Sequence, residues 1–288
     1  MSTAATTPAT TPATTQAPGP AHAAVTDTAT RDARRPAPSP IPFSRLLLVE
    51  ARKMVDTRAG LWLMVGIAVA SVLASAAVVL WAPDSMIDYS SFSTAIGIPM
   101  AVMLPIIAIL SVTSEFSQRT GLATFTLVPH RGRVVAAKLV NAVAVGVLGM
   151  VVAAGVGALG NLVGAALVGI DPVWDVSFAL FSSIVLGNVL GVLVGFMLAT
   201  LLRSTPAAMV GYLVYGYVLV GLTTMLASVQ EWFADAQPWV DFNFHQGNLF
   251  EGFPETGEGW AQLGVTAVVW LVVPLALGLW RLVRAEVK

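Results

Sequence analysis

Six stretches of the chain, at about residues 60–82, 94–113, 135–159, 178–201, 206–229 and 263–282, are each apolar over the length of a membrane crossing. A helix needs ~20 such residues to cross the ~30 Å hydrocarbon layer of a bilayer. Composition agrees: hydrophobic residues are 56% of the chain and charged ones 11%, against ~45–50% and ~25% in a soluble domain. The expected fold is an all-α integral membrane protein whose six transmembrane helices fall within residues 41–288. Residues 1–40 are Ala, Thr and Pro with little that is both bulky and apolar, a composition that cannot offset the entropy of ordering. They are expected to form a disordered cytoplasmic tail. No basic start followed by an apolar core, as in a signal peptide, is recognisable there, so the first span is expected to act as the address.

The charges give an independent test of this count. Lysine and arginine gather on the cytoplasmic side of membrane proteins. Here they lie before the first run (Arg31, Arg34, Arg35, Arg45, Arg52, Lys53, Arg58), between the second and third (Arg119, Arg131, Arg133, Lys138), after the fourth (Arg203) and at the end (Arg281, Arg284, Lys288). The remaining connections carry acids alone, among them Asp84, Asp88, Asp171, Asp175, Glu231 and Glu258. Both termini are therefore expected in the cytoplasm of a cell whose plasma membrane holds the protein. One segment strains the count, because 134–170 is too long for one crossing and barely long enough for two. A second crossing would put Asp171 and Asp175 inside and Arg203 outside. The segment reads instead as one span with an outer extension, an interfacial helix starting near Gly160-Asn161. Trp62 and Trp280 at the inner ends, and Trp81 and Trp260 at the outer, fit interfacial anchoring.

Within the spans the polar groups are few. No ionisable side chain occupies a span centre; Lys138 is close to an end, where its stem can reach the interface. Ion-coupled carriers place such groups at membrane depth, so their absence weighs against that class. The uncharged polar residues are Asn141, Asn188, Thr223, Thr224, Tyr212, Tyr215 and Tyr217. Asn188 reads as an interhelical hydrogen bond or, with Tyr212, Tyr215 and Thr223, as part of a substrate path. Small residues recur every fourth position of the fourth span, at Ser183, Gly187, Gly191, Gly195 and Ala199, a flat stripe suited to close helix packing. Its expected partner is the stripe Gly149, Ala153 and Gly157 on the third span. Pro274 should kink the last span.

Residues 230–262 hold eight aromatic rings and no basic residue. Pro238 and Pro254 prevent a long helix there, and the segment is expected to fold back on the outer membrane surface or cap the bundle. The chain has no cysteine, and His22, His130 and His245 fall in unrelated segments, so no metal site is expected. A phosphate-binding loop needs G-x-x-x-x-G-K-[ST]. The three lysines, Lys53, Lys138 and Lys288, are followed by Met54, Leu139 and nothing. Any ATP-driven work would need an ATPase on another polypeptide.

Two further segments carry a resemblance. Over 43–58, Phe43, Leu47, Leu48, Ala51, Met54 and Val55 share one helical face, and Arg45, Arg52, Lys53 and Asp56 the other, while Leu46, Val49 and Arg58 break the pattern. Over 114–138, SEFSQRTGLATFTLVPHRGRVVAAK, a carboxylate closes one span, a short helical pattern ends at Pro129, and a lysine opens the next span. Glu50, Arg52, Lys53 and Arg58 in the first segment resemble the elbow helix of the permease subunits of type-2 ATP-binding-cassette (ABC) exporters. So, in the second, do Glu115, Arg119-Thr120-Gly121, Pro129, Arg131 or Arg133, and Lys138 resemble their cytoplasmic loop. The resemblance implies a coupling helix at 115–126, between spans 2 and 3, that docks on a separate ABC ATPase subunit. It also implies a second permease subunit, with ATP and Mg bound by the ATPase and no cofactor by this chain. No nucleic-acid partner is implied. The alternative is an assembly or signalling subunit whose loop binds another partner.

Overall fold

The computed structural model describes residues 41–56, 58–117 and 131–284, all of it helix and connecting turn. Helix α1 is Phe43–Asp56 and α2 Arg58–Trp81. After a single 3-10 turn come α3, Tyr89–Ser117, α4, Arg131–Val168, and α5, Phe178–Leu202. Helix α6 spans Thr205–Val229 with a π-helical insert at Val214–Leu219. Two short helices follow, α7, Glu231–Val240, and α8, Phe242–Asn248. Helix α9 runs from Gly257 to Arg284 with a π insert at Val268–Val272. Six of these, α2 to α6 and α9, are long and apolar enough to cross a membrane.

The bundle is built around α3. Phe92, Ile96, Met100, Leu104, Ala108 and Val112 recur every fourth residue and are all buried. In lipid no hydrophobic force drives this packing, which rests on close van der Waals contact and hydrogen bonds. Glycines on both neighbours give α3 its fit. A Cβ on Gly149 of α4 would lie 2.9 Å from a methyl of Leu104, and one on Gly160 would lie 2.7 Å from the ring of Phe92. On α5, a Cβ on Gly195 would lie 2.8 Å from the carbonyl oxygen of Pro105. The two small-residue stripes therefore do not pack on each other, as the sequence suggested. The stripe on α4 receives Phe92, Ile96 and Leu104 of α3, and the stripe on α5 receives Pro105 of α3 at Gly191 and Gly195 and residues 246–250 at Gly187.

Helix α4 also departs from expectation. It runs 38 residues without a break at Gly160-Asn161, about 57 Å at 1.5 Å per residue. Gly160 and Gly164 keep it helical because both lie under Phe92, and Asn161 straps the following turn by donating to the Val173 carbonyl at 2.8 Å. That carbonyl also accepts from the Tyr89 amide, and Asp175 accepts from Ser90 N at 2.9 Å. One end of the bundle thus gathers Asp88, Asp171 and Asp175. At the other end Thr205 donates to Thr113 at 2.8 Å and Lys138 to the Ser111 carbonyl at 3.0 Å. Arg133, Lys138 and Arg203, among the described residues, lie at that end.

The prolines are accommodated in three ways. Pro99 and Pro105 lie inside α3, and Pro105 cannot donate to the carbonyl four residues back, that of Ala101. Tyr212 of α6 supplies the missing donor, its hydroxyl 2.8 Å from Ala101 O. Tyr212→Phe leaves that buried carbonyl without the phenolic donor and should cost about 1–3 kcal/mol, read as a lower midpoint in detergent unfolding. An unchanged midpoint would mean Ala101 O is satisfied otherwise. Pro274 follows the π insert of α9, where the wider turn takes up the missing bond as a local adjustment in the helix. Pro238 is tolerated inside the final turns of α7.

Candidate functional site

At the basic end, α1 lies along the start of α4. Its buried positions are Leu46, Glu50 and Met54, one turn apart; Leu46 packs with Val134 and Ala137 of α4. Leu48 and Val49 are exposed. The apolar face inferred from the sequence is thus rotated: Leu46, read as breaking the pattern, is its centre, and Leu48 faces outward. The reason is Glu50. Its carboxylate accepts from Lys138 of α4 at 2.6 Å and from Lys53 at 2.7 Å, and the Glu50 and Lys138 side chains are 5% and 7% exposed. Lys138 does not extend to the interface as expected, because an anion is buried within its reach. Its ammonium also donates to Ser111 O of α3. Asn141 donates to Leu47 O at 2.9 Å, and Arg133 to Ile41 O at 2.9 Å.

Burial acts to raise the Glu50 carboxyl, but the charge and hydrogen bond of Lys138, helped by Lys53, outweigh it and hold the group below its usual range. Arg52 and Arg58 are exposed. Glu115 falls in the last turn of α3, which continues to Ser117, and Arg131 is the first residue of α4. The first three residues of the expected coupling helix therefore extend α3. Arg119, Thr120, Gly121 and Pro129 lie outside the described residues. What the structure does place is the frame: Lys138 of one stem of that loop bonds both Glu50 of α1 and Ser111 O of the other stem.

A second site lies between α3, α5, α6 and α8. A cavity of about 270 Å³ is lined by Asn188, Tyr212 and Tyr215, with Gln246 and Asn243 of α8. Three of the four expected path residues meet there. Thr223 does not: its hydroxyl returns to Leu219 O in its own helix. Asn188 makes no interhelical bond either. Its Nδ2 donates to Ile184 O at 3.0 Å, and its buried Oδ1 has no partner. Tyr217, counted from sequence among the polar groups within the spans, is 56% exposed at the cavity rim.

The stripe Gly187, Gly191 and Gly195 explains how α8 enters. A Cβ on Gly187 would meet Phe250, Leu249 and the Gln246 carbonyl at 3.3–3.4 Å, and one on Gly191 would meet the Gln246 amide at 3.0 Å. Gln246 then donates to Gly187 O at 3.0 Å and accepts from the Tyr215 hydroxyl at 3.0 Å. Asn243 donates to Tyr215 O at 2.7 Å, inside the π insert, where the altered ladder leaves carbonyls available. Asp241 caps α8 by accepting from Asn243 N and Phe244 N, and His245 bonds to Pro238 O. Residues 230–262 therefore do cap the bundle, and they do so by inserting α8. Gln246 and Asn243 were missed because one amide in a polar loop gives no periodic signal.

A larger cavity of about 450 Å³ lies outside α8, beside His245, Glu251 and Glu255. Among the described residues no group of three or more His, Asp or Glu is placed to hold a metal ion. Compared with known proteins, the chain matches no family model. No curated protein sequence matches it either. What sequence and structure together establish is a multi-pass membrane protein with six apolar spanning helices.

Proposed function

We propose that the chain is the permease subunit of an ATP-driven exporter, working with a separate ABC ATPase subunit that binds ATP and Mg, and with a second permease subunit. The observation that carries this reading is the buried Glu50–Lys138 pair with its bond to Ser111 O. It joins the amphipathic N-terminal helix to both stems of the one long basic connection between spans. A push on that connection by a partner would therefore reach α1, α3 and α4 together. The charge distribution supports this by putting the junction, and both termini, on the cytoplasmic side. The cavity under α8 fits part of a substrate path.

Purification of the full chain from its native membrane in mild detergent, followed by mass spectrometry, tests the reading. A P-loop ATPase recovered in about equal amount is the expected result. Substituting Glu115 and Arg119 should then abolish substrate-dependent ATPase stimulation with no loss of expression. A folded bundle that brings no ATPase would replace this reading with an assembly or signalling subunit.

A further inference from the structure

The inner cavity holds no charged side chain: its polar lining is amide and phenol, from Asn188, Asn243, Gln246, Tyr212 and Tyr215. Asn188 is ten residues into α5, about 15 Å of helix from its acidic end, so the site sits near the bilayer centre. A charge brought there without a counter-ion would be costly. A neutral group with a hydrogen to donate would not, because acceptors are in place. The Gln246 Oε1 bonded by Tyr215 retains a lone pair, and Asn188 Oδ1 has no partner at all. The Asn188 amide cannot resolve this by flipping, since Ile184 O accepts and requires its NH2.

The rim differs from the lining. Ile98 and Tyr217 border the cavity and are 66% and 56% exposed on the outer surface of α3 and α6. The space is small: about 270 Å³ exceeds the ~150 Å³ that admits benzene but falls short of the ~300–1,000 Å³ of sites for drug-sized ligands. It fits a headgroup and the first carbons of a chain. We infer that the cavity takes the uncharged, hydrogen-donating headgroup of a single-chain amphiphile, whose apolar tail leaves past Ile98 and Tyr217 into the bilayer. The headgroup donates its hydrogen to Asn188 Oδ1, which a small reorientation of the buried amide brings to it, and the remaining lone pair of Gln246 Oε1 is the acceptor for a headgroup with a second hydrogen.

This inference rests on the permease reading in calling the ligand a substrate, but its test needs no ATPase. The full chain is placed in phosphatidylcholine nanodiscs with a hexadecanol carrying a diazirine near its hydroxyl. Photolabelling should be saturable and map by mass spectrometry to peptides containing Ile98, Tyr217 or Phe250. Unlabelled hexadecanol should compete, whereas its methyl ether and hexadecyl phosphate should not. Asn188→Leu should weaken labelling roughly fivefold or more, the worth of one hydrogen bond. Tyr215→Phe, which frees Gln246 Oε1, should leave labelling equal or stronger, so a misfolded Asn188 variant does not decide the matter alone. Competition by the ether or the phosphate equal to that of the alcohol, or labelling spread evenly over the lipid-facing helices, overturns the proposal. Because ATPase recovery is measured separately, loss of the partner and loss of the site are distinguishable.

Discussion

Glu50→Gln should destabilise the bundle by up to about 3–5 kcal/mol, because it takes from the buried Lys138 ammonium the carboxylate 2.6 Å away. Lys138→Met should cost less, about 1.5–3 kcal/mol, since Glu50 keeps Lys53 at 2.7 Å. The double variant Glu50→Gln/Lys138→Met should recover most of the loss: a buried pair exchanged for neutral groups often comes out nearly even. Denaturant unfolding of all four proteins in one detergent gives the coupling between the two sites. Additive single effects would mean that the pair is not a unit, and with it would go the argument that α1 is locked to the loop stems.

The same pair sets an acid limit. The folded-state carboxyl of Glu50 is depressed, burial opposing and Lys138 and Lys53 prevailing. Its stabilising contribution is therefore complete above the unfolded carboxylate pKa and is lost as pH falls through the lower, folded value. Between pH 6 and pH 8 the docking of α1 should be flat, and below the ordinary carboxylate range, ~4.3, it should weaken. Glu50→Gln should remove that limb of the profile.

The spans and their number were legible because each rests on many residues acting in the same direction. The continuous run of α4 was not, since apolar length alone cannot say whether glycines such as Gly160 break a helix or admit a neighbour. Phe92, sixty-eight positions away, decides it. Glu50 stood in the elbow segment as one charge among several. That it faces inward depends on Lys138, which the sequence places near a span end and the fold turns toward α1. Asn188, Tyr212 and Tyr215 could be picked out as polar groups in apolar surroundings. Gln246 could not, because nothing local shows that its helix enters the bundle.

Gly195 is where a single methyl should matter most. An alanine Cβ there would lie 2.8 Å from Pro105 O and 3.2 Å from Pro105 Cα. Those are backbone atoms, in a helix already packed on α4 through Phe92 and Leu104, so α3 and α5 must separate. Gly195→Ala should cost about 1–3 kcal/mol as overpacking, and Gly195→Val more. At Gly191 the atoms met are the tips of Gln246 and Tyr212, at 3.0 and 3.2 Å. They can move, so Gly191→Ala should be milder in stability while disturbing the cavity. Gly97, on the same α3, meets nothing within 4 Å; alanine there should be neutral or stabilise by up to about 1 kcal/mol through helix propensity. Thermal unfolding of the three alanine variants should therefore rank them 195, 191, 97 from least to most stable. If Gly195→Ala melts with Gly97→Ala, α3 and α5 do not meet at Pro105. The cavity that depends on that contact, and the Tyr212 bond to Ala101 O beside it, would then have to be rebuilt around another helix pair.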